Sequence, residues 1–244
     1  MKILRKIALS VITAFLLLGF SWIIAVNVIG WVLEPDASEN RVSEHVIIIA
    51  VGLDNIQYSE ILTGQPAALN GITDKSPNNR KSLKTADIFN ACYNANMRSA
   101  AIGVPMTAYG QAYYNYPAGD PYKGGALPFV IDADARFFLS KKQGRDFFNL
   151  TLACDTIERY RPNLLIAAFE TLPDLNRLKA AAKNAGISAT WMIITQKTVE
   201  ISGQGITEEI SGAAFIDIAP TTAVMLEMAF FPCEGRNLYT GNYE

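Results

Sequence analysis

VIIIAVGLDN, residues 46 to 55, opens with six apolar residues, most of them β-branched, and then turns through a glycine to an aspartate. A short unbroken apolar run of this kind suits a strand buried on both faces, as in the middle of a parallel sheet. Ligands of open α/β sheets collect beyond the carboxyl ends of such strands. Asp54 therefore stands where a metal ligand or a base would be useful.

Similar runs recur at Ser99 to Val104, Asn163 to Phe169 and Thr190 to Thr195. Helical patterns lie between them. Ile88, Cys92 and Ala95 share a face in the first interval, and Asp134 to Tyr160 forms a long pattern interrupted by Gly144 and stopped before Pro162. Pro173 is placed to open a further helix, with Leu175, Leu178 and Ala182 inward and Asn184-Ala185-Gly186 at its end. A last helix starts at Ala219-Pro220. The alternation predicts an α/β fold with a mainly parallel sheet sandwiched by helices.

The 244 residues are 50% hydrophobic and 18% charged, enough for one well-filled core and something more. Ile7 to Leu33 carries no charged side chain and, as a helix, would cross a hydrocarbon core of about 30 Å. Lys2, Arg5 and Lys6 precede it and Glu34, Asp36 and Glu39 follow, so the basic end is expected in the cytoplasm and the rest outside it. The run is too long for a signal peptide, and Phe20-Ser21-Trp22 is a poor cleavage site. The expected organisation is a cytoplasmic start and membrane anchor over residues 1–34, a polar tether over 35–44 and an α/β domain over 45–244.

A net charge of −2 offers no basic footprint, which excludes nucleic acid as an expected partner. Cys92, Cys154 and Cys233 show no CxxC spacing and read as small buried hydrophobes. Met106 to Pro128 gathers five tyrosines among glycines and prolines and reads as a long loop, its aromatics covering a sheet end. Gly203-Gln204-Gly205 reads as a turn, since Glu208 stands where a dinucleotide fingerprint needs its third glycine.

Taken in order, these landmarks resemble the alkaline phosphatase superfamily, and within it the type I phosphodiesterase/nucleotide pyrophosphatase branch. HVIIIAVGLDN (45–55) resembles that family's first strand. SEILTGQPAALNGITDKS (59–76) is similar to its Thr-Gly, Pro and Gly-Ile segment, and TADIFNACYNANMRSAAIG (85–103) to the helix and strand that follow. RPNLLIAAFETLPD (161–174) and AGISATWMIIT (185–195) resemble two strands leading to metal ligands. GAAFIDIAPTTAVMLEM (212–228) is similar to the closing Asp-x-Ala-Pro-Thr helix. The resemblance spans nearly all of residues 45 to 236 and implies a phosphodiester hydrolase using two zinc or similar divalent ions.

The chemistry-bearing positions depart from that pattern. The family's strand-end aspartate precedes Gly-Leu, whereas here Val51 does and Asp54 follows Leu53. The long insertion carrying the nucleophile is missing between Gly52 and Thr63-Gly64. After Phe169 stand Glu170 and Asp174 with no histidine, and after Thr195 stand Gln196, Lys197 and Thr198 in place of Asp-His-Gly. The one histidine, His45, lies at the start of the first strand, away from the crevice and from Ser59, which also argues against a Ser-His-Asp triad. No cofactor is expected.

Two functions remain. The first is a membrane-anchored, extracytoplasmic phosphodiesterase-like domain without catalytic activity, retained to bind a small phosphorylated ligand or a protein partner. The second is an active phosphate- or sulfate-ester hydrolase with a reduced site, its catalytic candidates Asp54, Ser59 and Thr63, and its metal candidates Asp54, Glu170 and Asp174 around one hard cation.

Overall fold

The computed structural model describes residues 43–73, 83–104, 112–115, 144–203 and 206–239. The chain divides into two units, 1–40 and 41–244, and all of these residues belong to the second. Among them no helix is long and apolar enough to cross a membrane; the expected anchor at 7–33 lies outside the described residues.

Seven strands form one sheet in the order β3-β2-β4-β1-β5-β6-β7. The central four are parallel: β2 (Ser99–Ile102), β4 (Leu164–Phe169), β1 (His45–Val51) and β5 (Ala189–Ile194). All four apolar runs of the sequence thus share one sheet. β3 (Ala112–Asn115) adds antiparallel to β2, and a hairpin of β6 (Thr198–Gly203) and β7 (Ile206–Ser211) adds antiparallel to β5. The loop expected over 106–128 therefore contains a strand, and its remainder lies outside the described residues. So do 204 and 205, between the paired Gly203 and Ile206.

β1 shows why the runs are unbroken. Val46, Ile48 and Ala50 enter one core and Ile47 and Ile49 the other, each at most 2% exposed. On the first face pack α1 (Asn55–Thr63), α3 (Ile88–Asn94) and α6 (Ile218–Met225). The short α2 (Ala67–Asn70) lies between α1 and α3 in the chain. On the second face pack α4 (Arg145–Asp155), which widens into a π turn at Thr156–Tyr160, and α5 (Leu175–Asn184). The sheet is sandwiched as expected. In β6 only Val199 and Ile201 are buried while Glu200 is exposed, the alternation of a strand with one wet face.

Helix boundaries follow local chemistry. α1 begins in a capping box, with the Gln57 N–H donating to Asp54 Oδ1 at 3.0 Å and the Asp54 N–H to Gln57 Oε1 at 2.8 Å. It ends at Gly64 in the left-handed region. α4 begins after Gly144 rather than running through it; residues 134–143 of the helix expected from Asp134 lie outside the described residues. Pro173 lies just outside α5, which Asp174 caps by accepting from the N–H groups of Asn176 and Arg177. The three cysteines are free, Cys92 fully buried and Cys154 and Cys233 partly so.

The segment after α6 folds back as a strap. The Gly235 N–H donates to Gly64 O at 3.1 Å, Gln65 Nε2 to Pro232 O at 3.0 Å, and the Leu238 N–H to Thr221 Oγ1 at 2.9 Å. Asp217, its side chain 4% exposed, accepts from the Arg236 N–H at 2.9 Å and faces the Arg236 guanidinium at 3.4 Å. The Thr-Gly and Asp-x-Ala-Pro-Thr stretches thus meet through this strap.

Several glycines are required by close approach, Gly103 beside the strand ends among them. It has φ +70°, and a Cβ there would collide with Asn149 Nδ2, the atom that donates to Ala168 O at 2.8 Å. Gly103→Ala is expected to cost about 2–3 kcal/mol, read as a lower guanidinium midpoint with an unchanged slope.

Candidate functional site

The carboxyl ends of β1, β2 and β4 open into a cleft of about 270 Å³. The turn after β1 contributes Gly52, Leu53 and Asp54, Gly103 follows β2, and β4 contributes its last residue, Phe169, with Glu170 after it. Two helices complete the walls: α1 with Asn55 and Tyr58, and the first turns of α4 with Arg145, Asp146 and Asn149. This is where α/β sheets place ligands.

Asp146 organises one wall. Its Oδ1 accepts from the Glu170 N–H at 2.8 Å, and its Oδ2 accepts from the Thr171 N–H at 2.9 Å and the Thr171 hydroxyl at 2.8 Å. Partial burial alone would raise its pKa, but these hydrogen bonds, together with the charge of Arg145, hold the carboxyl below its ordinary value. Arg145 donates to Gly103 O at 3.3 Å and stands 4.0 Å from Glu170, in a pair open to solvent. Its charge is only loosely neutralised.

Tyr58 reaches the same cleft from α1. The residue is 3% exposed and its ring belongs to the core of the α1 face. Burial pushes the phenol pKa strongly up, with Arg145 pulling it down and Asp146 adding to the rise, so the hydroxyl is within the field of both groups. It is protonated throughout the physiological range and makes no hydrogen bond among the described residues.

Of the residues singled out from the sequence, the structure brings Asp54 and Glu170 to this cleft. Asp54 is engaged as the cap of α1. Ser59 and Thr63 are buried inside the helix layer. The Ser59 hydroxyl donates to Ile56 O at 2.7 Å and accepts from Asn70 Nδ2 at 2.9 Å, while the Thr63 hydroxyl donates to Ser59 O at 2.7 Å. Asp174 is exposed at the start of α5 and does not line the cleft.

Gln196 ties the end of β5 to the β1 turn, donating to Gly52 O at 2.7 Å. Lys197 faces a separate cleft of about 240 Å³, with Glu60, Thr195 and Phe215. Burial raises the Glu60 pKa there, against a hydrogen bond from the Ala67 N–H and with the charge of Asp54 adding to the rise. His45 holds its place at the amino end of β1, its Nδ1 2.8 Å from Pro162 O.

Two zinc ions would need converging imidazoles and carboxylates. Among the described residues no group of three His, Cys, Asp or Glu side chains is placed to hold a metal ion. With the sole histidine at the opposite end of its strand, the described residues do not fit a two-zinc centre.

Arg145, Asp146 and Tyr58 were not legible as site residues. Running the helical pattern through Gly144 puts Arg145 and Asp146 in mid-helix, whereas a helix started by that glycine delivers both to the strand ends. Tyr58 follows Asp54 by one helical turn, a spacing that puts it on the same side of α1.

The fold and cleft define a three-layer α/β domain with a ligand-sized opening at the strand ends. No family model, curated protein or solved structure matches the chain.

Asp146→Asn keeps the shape of the wall but weakens its grip on Glu170 and Thr171. A loss of about 1 kcal/mol at pH 7 is expected in chemical denaturation, small because solvent screens the half-buried carboxylate. Since the folded pKa is depressed, this stabilisation is present above the unfolded value of about 4 and disappears as the pH falls through the folded one. Wild type and variant should begin to converge below about pH 4 and meet once the pH is under the depressed folded value.

Proposed function

We propose that the chain is a membrane-anchored, extracytoplasmic domain of alkaline phosphatase-like, type I phosphodiesterase-like character that binds a ligand at its strand-end cleft without hydrolysing phosphate esters. The observation that carries this reading is the state of the two candidate nucleophiles. The Ser59 and Thr63 hydroxyls are 0% and 2% exposed by residue and spend their protons on backbone carbonyls within α1, so neither reaches a bound ester. The insertion that carries the family's nucleophile has no counterpart in the turn from β1 to α1, which is only Gly52-Leu53-Asp54.

The cleft itself supports binding. It is walled by strand ends and two helices, its glycines bring backbone close to any occupant, and it presents a guanidinium, three carboxylates and a phenol. The reduced-site hydrolase draws support from one feature, the presence of Asp54 and Glu170 in the same cleft. Against it, Asp54 is the cap of α1, and its replacement by alanine is expected to cost about 1 kcal/mol of stability before any metal is considered.

The purified full chain is expected to carry no stoichiometric zinc and to leave a nitrophenyl phosphodiester untouched above background. Zinc at one or two equivalents by elemental analysis, or turnover abolished by a chelator and by Asp54→Ala, would replace the binding domain with the reduced-site hydrolase.

The anchor rests on the charge-free run Ile7 to Leu33 and its flanking charges. In sealed cells, added protease should digest the domain beyond Pro35. Digestion only after the cytoplasmic side is opened would reverse the orientation.

A further inference from the structure

The described walls of the cleft at the ends of β1, β2 and β4 carry the wrong charge for a phosphate. They present three carboxylates, Asp54, Asp146 and Glu170, against one guanidinium, Arg145, a formal excess of two negative charges. A phosphate mono- or dianion entering without metal ions would meet that excess in a partly desolvated space, where like charges repel more strongly than in water. A cation would be drawn in.

We propose that this cleft binds the ammonium group of a small organic amine. Two acceptors are placed to receive it. One is the Tyr58 hydroxyl oxygen, on a residue that is 3% exposed and hydrogen-bonded to nothing among the described residues, yet lines the cleft. The hydroxyl itself opens on the cleft, so a bound ammonium group exchanges a water contact there for a direct charge-assisted hydrogen bond. The other is the Glu170 carboxylate, whose only ion-pair partner among the described residues, Arg145, is 4.0 Å away. Asp146 contributes charge rather than contacts, because both its oxygens are engaged by Glu170 and Thr171.

A metal cation is the weaker occupant. It would need several ligands converging at once, and among the described residues no three carboxylate, imidazole or thiol groups do so. An ammonium group needs only two or three acceptors, and its strength comes from charge-assisted hydrogen bonds. The volume of about 270 Å³ suits a short amine rather than a nucleotide.

This inference rests on the non-catalytic reading of the cleft and adds the class of ligand. The test is calorimetric titration of the full chain, in detergent at low ionic strength, with 1,4-diaminobutane and with inorganic phosphate as the two probes. Saturable binding of the diamine and none of phosphate is expected. Glu170→Gln, at an exposed position, should weaken the diamine about tenfold and Tyr58→Phe about threefold, while Arg145→Gln should tighten it.

Phosphate binding abolished by Arg145→Gln, diamine binding indifferent to all three variants, or no diamine binding at all would overturn the proposal. Turnover of the nitrophenyl diester in the same preparation with diamine binding intact would overturn the non-catalytic reading alone. Absence of diamine binding without turnover would overturn the amine alone.

Discussion

The architecture depends on β1 being hydrogen-bonded along both edges and covered on both faces. β4 and β5 pair with it in parallel register, Ile48 standing opposite Ile166 on one side and Met192 on the other. A strand enclosed this way can leave no side chain to water, so every position from Val46 to Ala50 is apolar and the chain's polarity waits for the turn. The same enclosure places the cleft. The first residues free to be polar are Gly52 and Asp54, and β2 and β4 end beside them, followed by Gly103 and Glu170.

Strands buried on two faces announce themselves in a sequence because nothing interrupts their hydrophobicity. That is why β1, β2, β4 and β5 could be found there, within a residue or two of their ends. β6 and β7 were missed for the opposite reason. TVEISG alternates polar and apolar residues over only six positions, with Glu200 on the wet side, and ITEEIS has just two apolar residues, Ile206 and Ile210, after the Gln204-Gly205 link. β3 was hidden among tyrosines and glycines that read as loop, and its pairing with β2 is a tertiary fact.

The site divides along a similar line. Residues attached to strand ends, Asp54 and Glu170, were legible because strand ends were legible. Ser59, Thr63 and Asp174 have the right chemical type but are consumed by helix structure: hydroxyls turned back on carbonyls within α1, and a carboxylate holding the first turn of α5. Whether a Ser, Thr or Asp caps, back-bonds or reacts is decided by which helix turn it occupies, to a precision of one residue, and pattern alone does not supply that precision. Arg145 and Asp146 depended on reading Gly144 as a start rather than an interruption.

The strap from Pro232 to Leu238 sets a condition on how the domain is made. It closes over Gly64, at the end of the first helix after β1, and it gives the buried carboxylate of Asp217 its positive partner. About 170 residues separate Gly64 from Gly235 along the chain, so this contact has one of the longest loop closures available and little to reward it until the sheet exists. A nascent chain that has emerged only as far as α6 holds Asp217 without Arg236 and leaves the end of α1 unsealed. The strap is therefore a late contact: all seven strands, from His45 to Ser211, precede residues 232–238 in the chain, so the sheet can be paired before the end of α1 is sealed and Asp217 gains its cation.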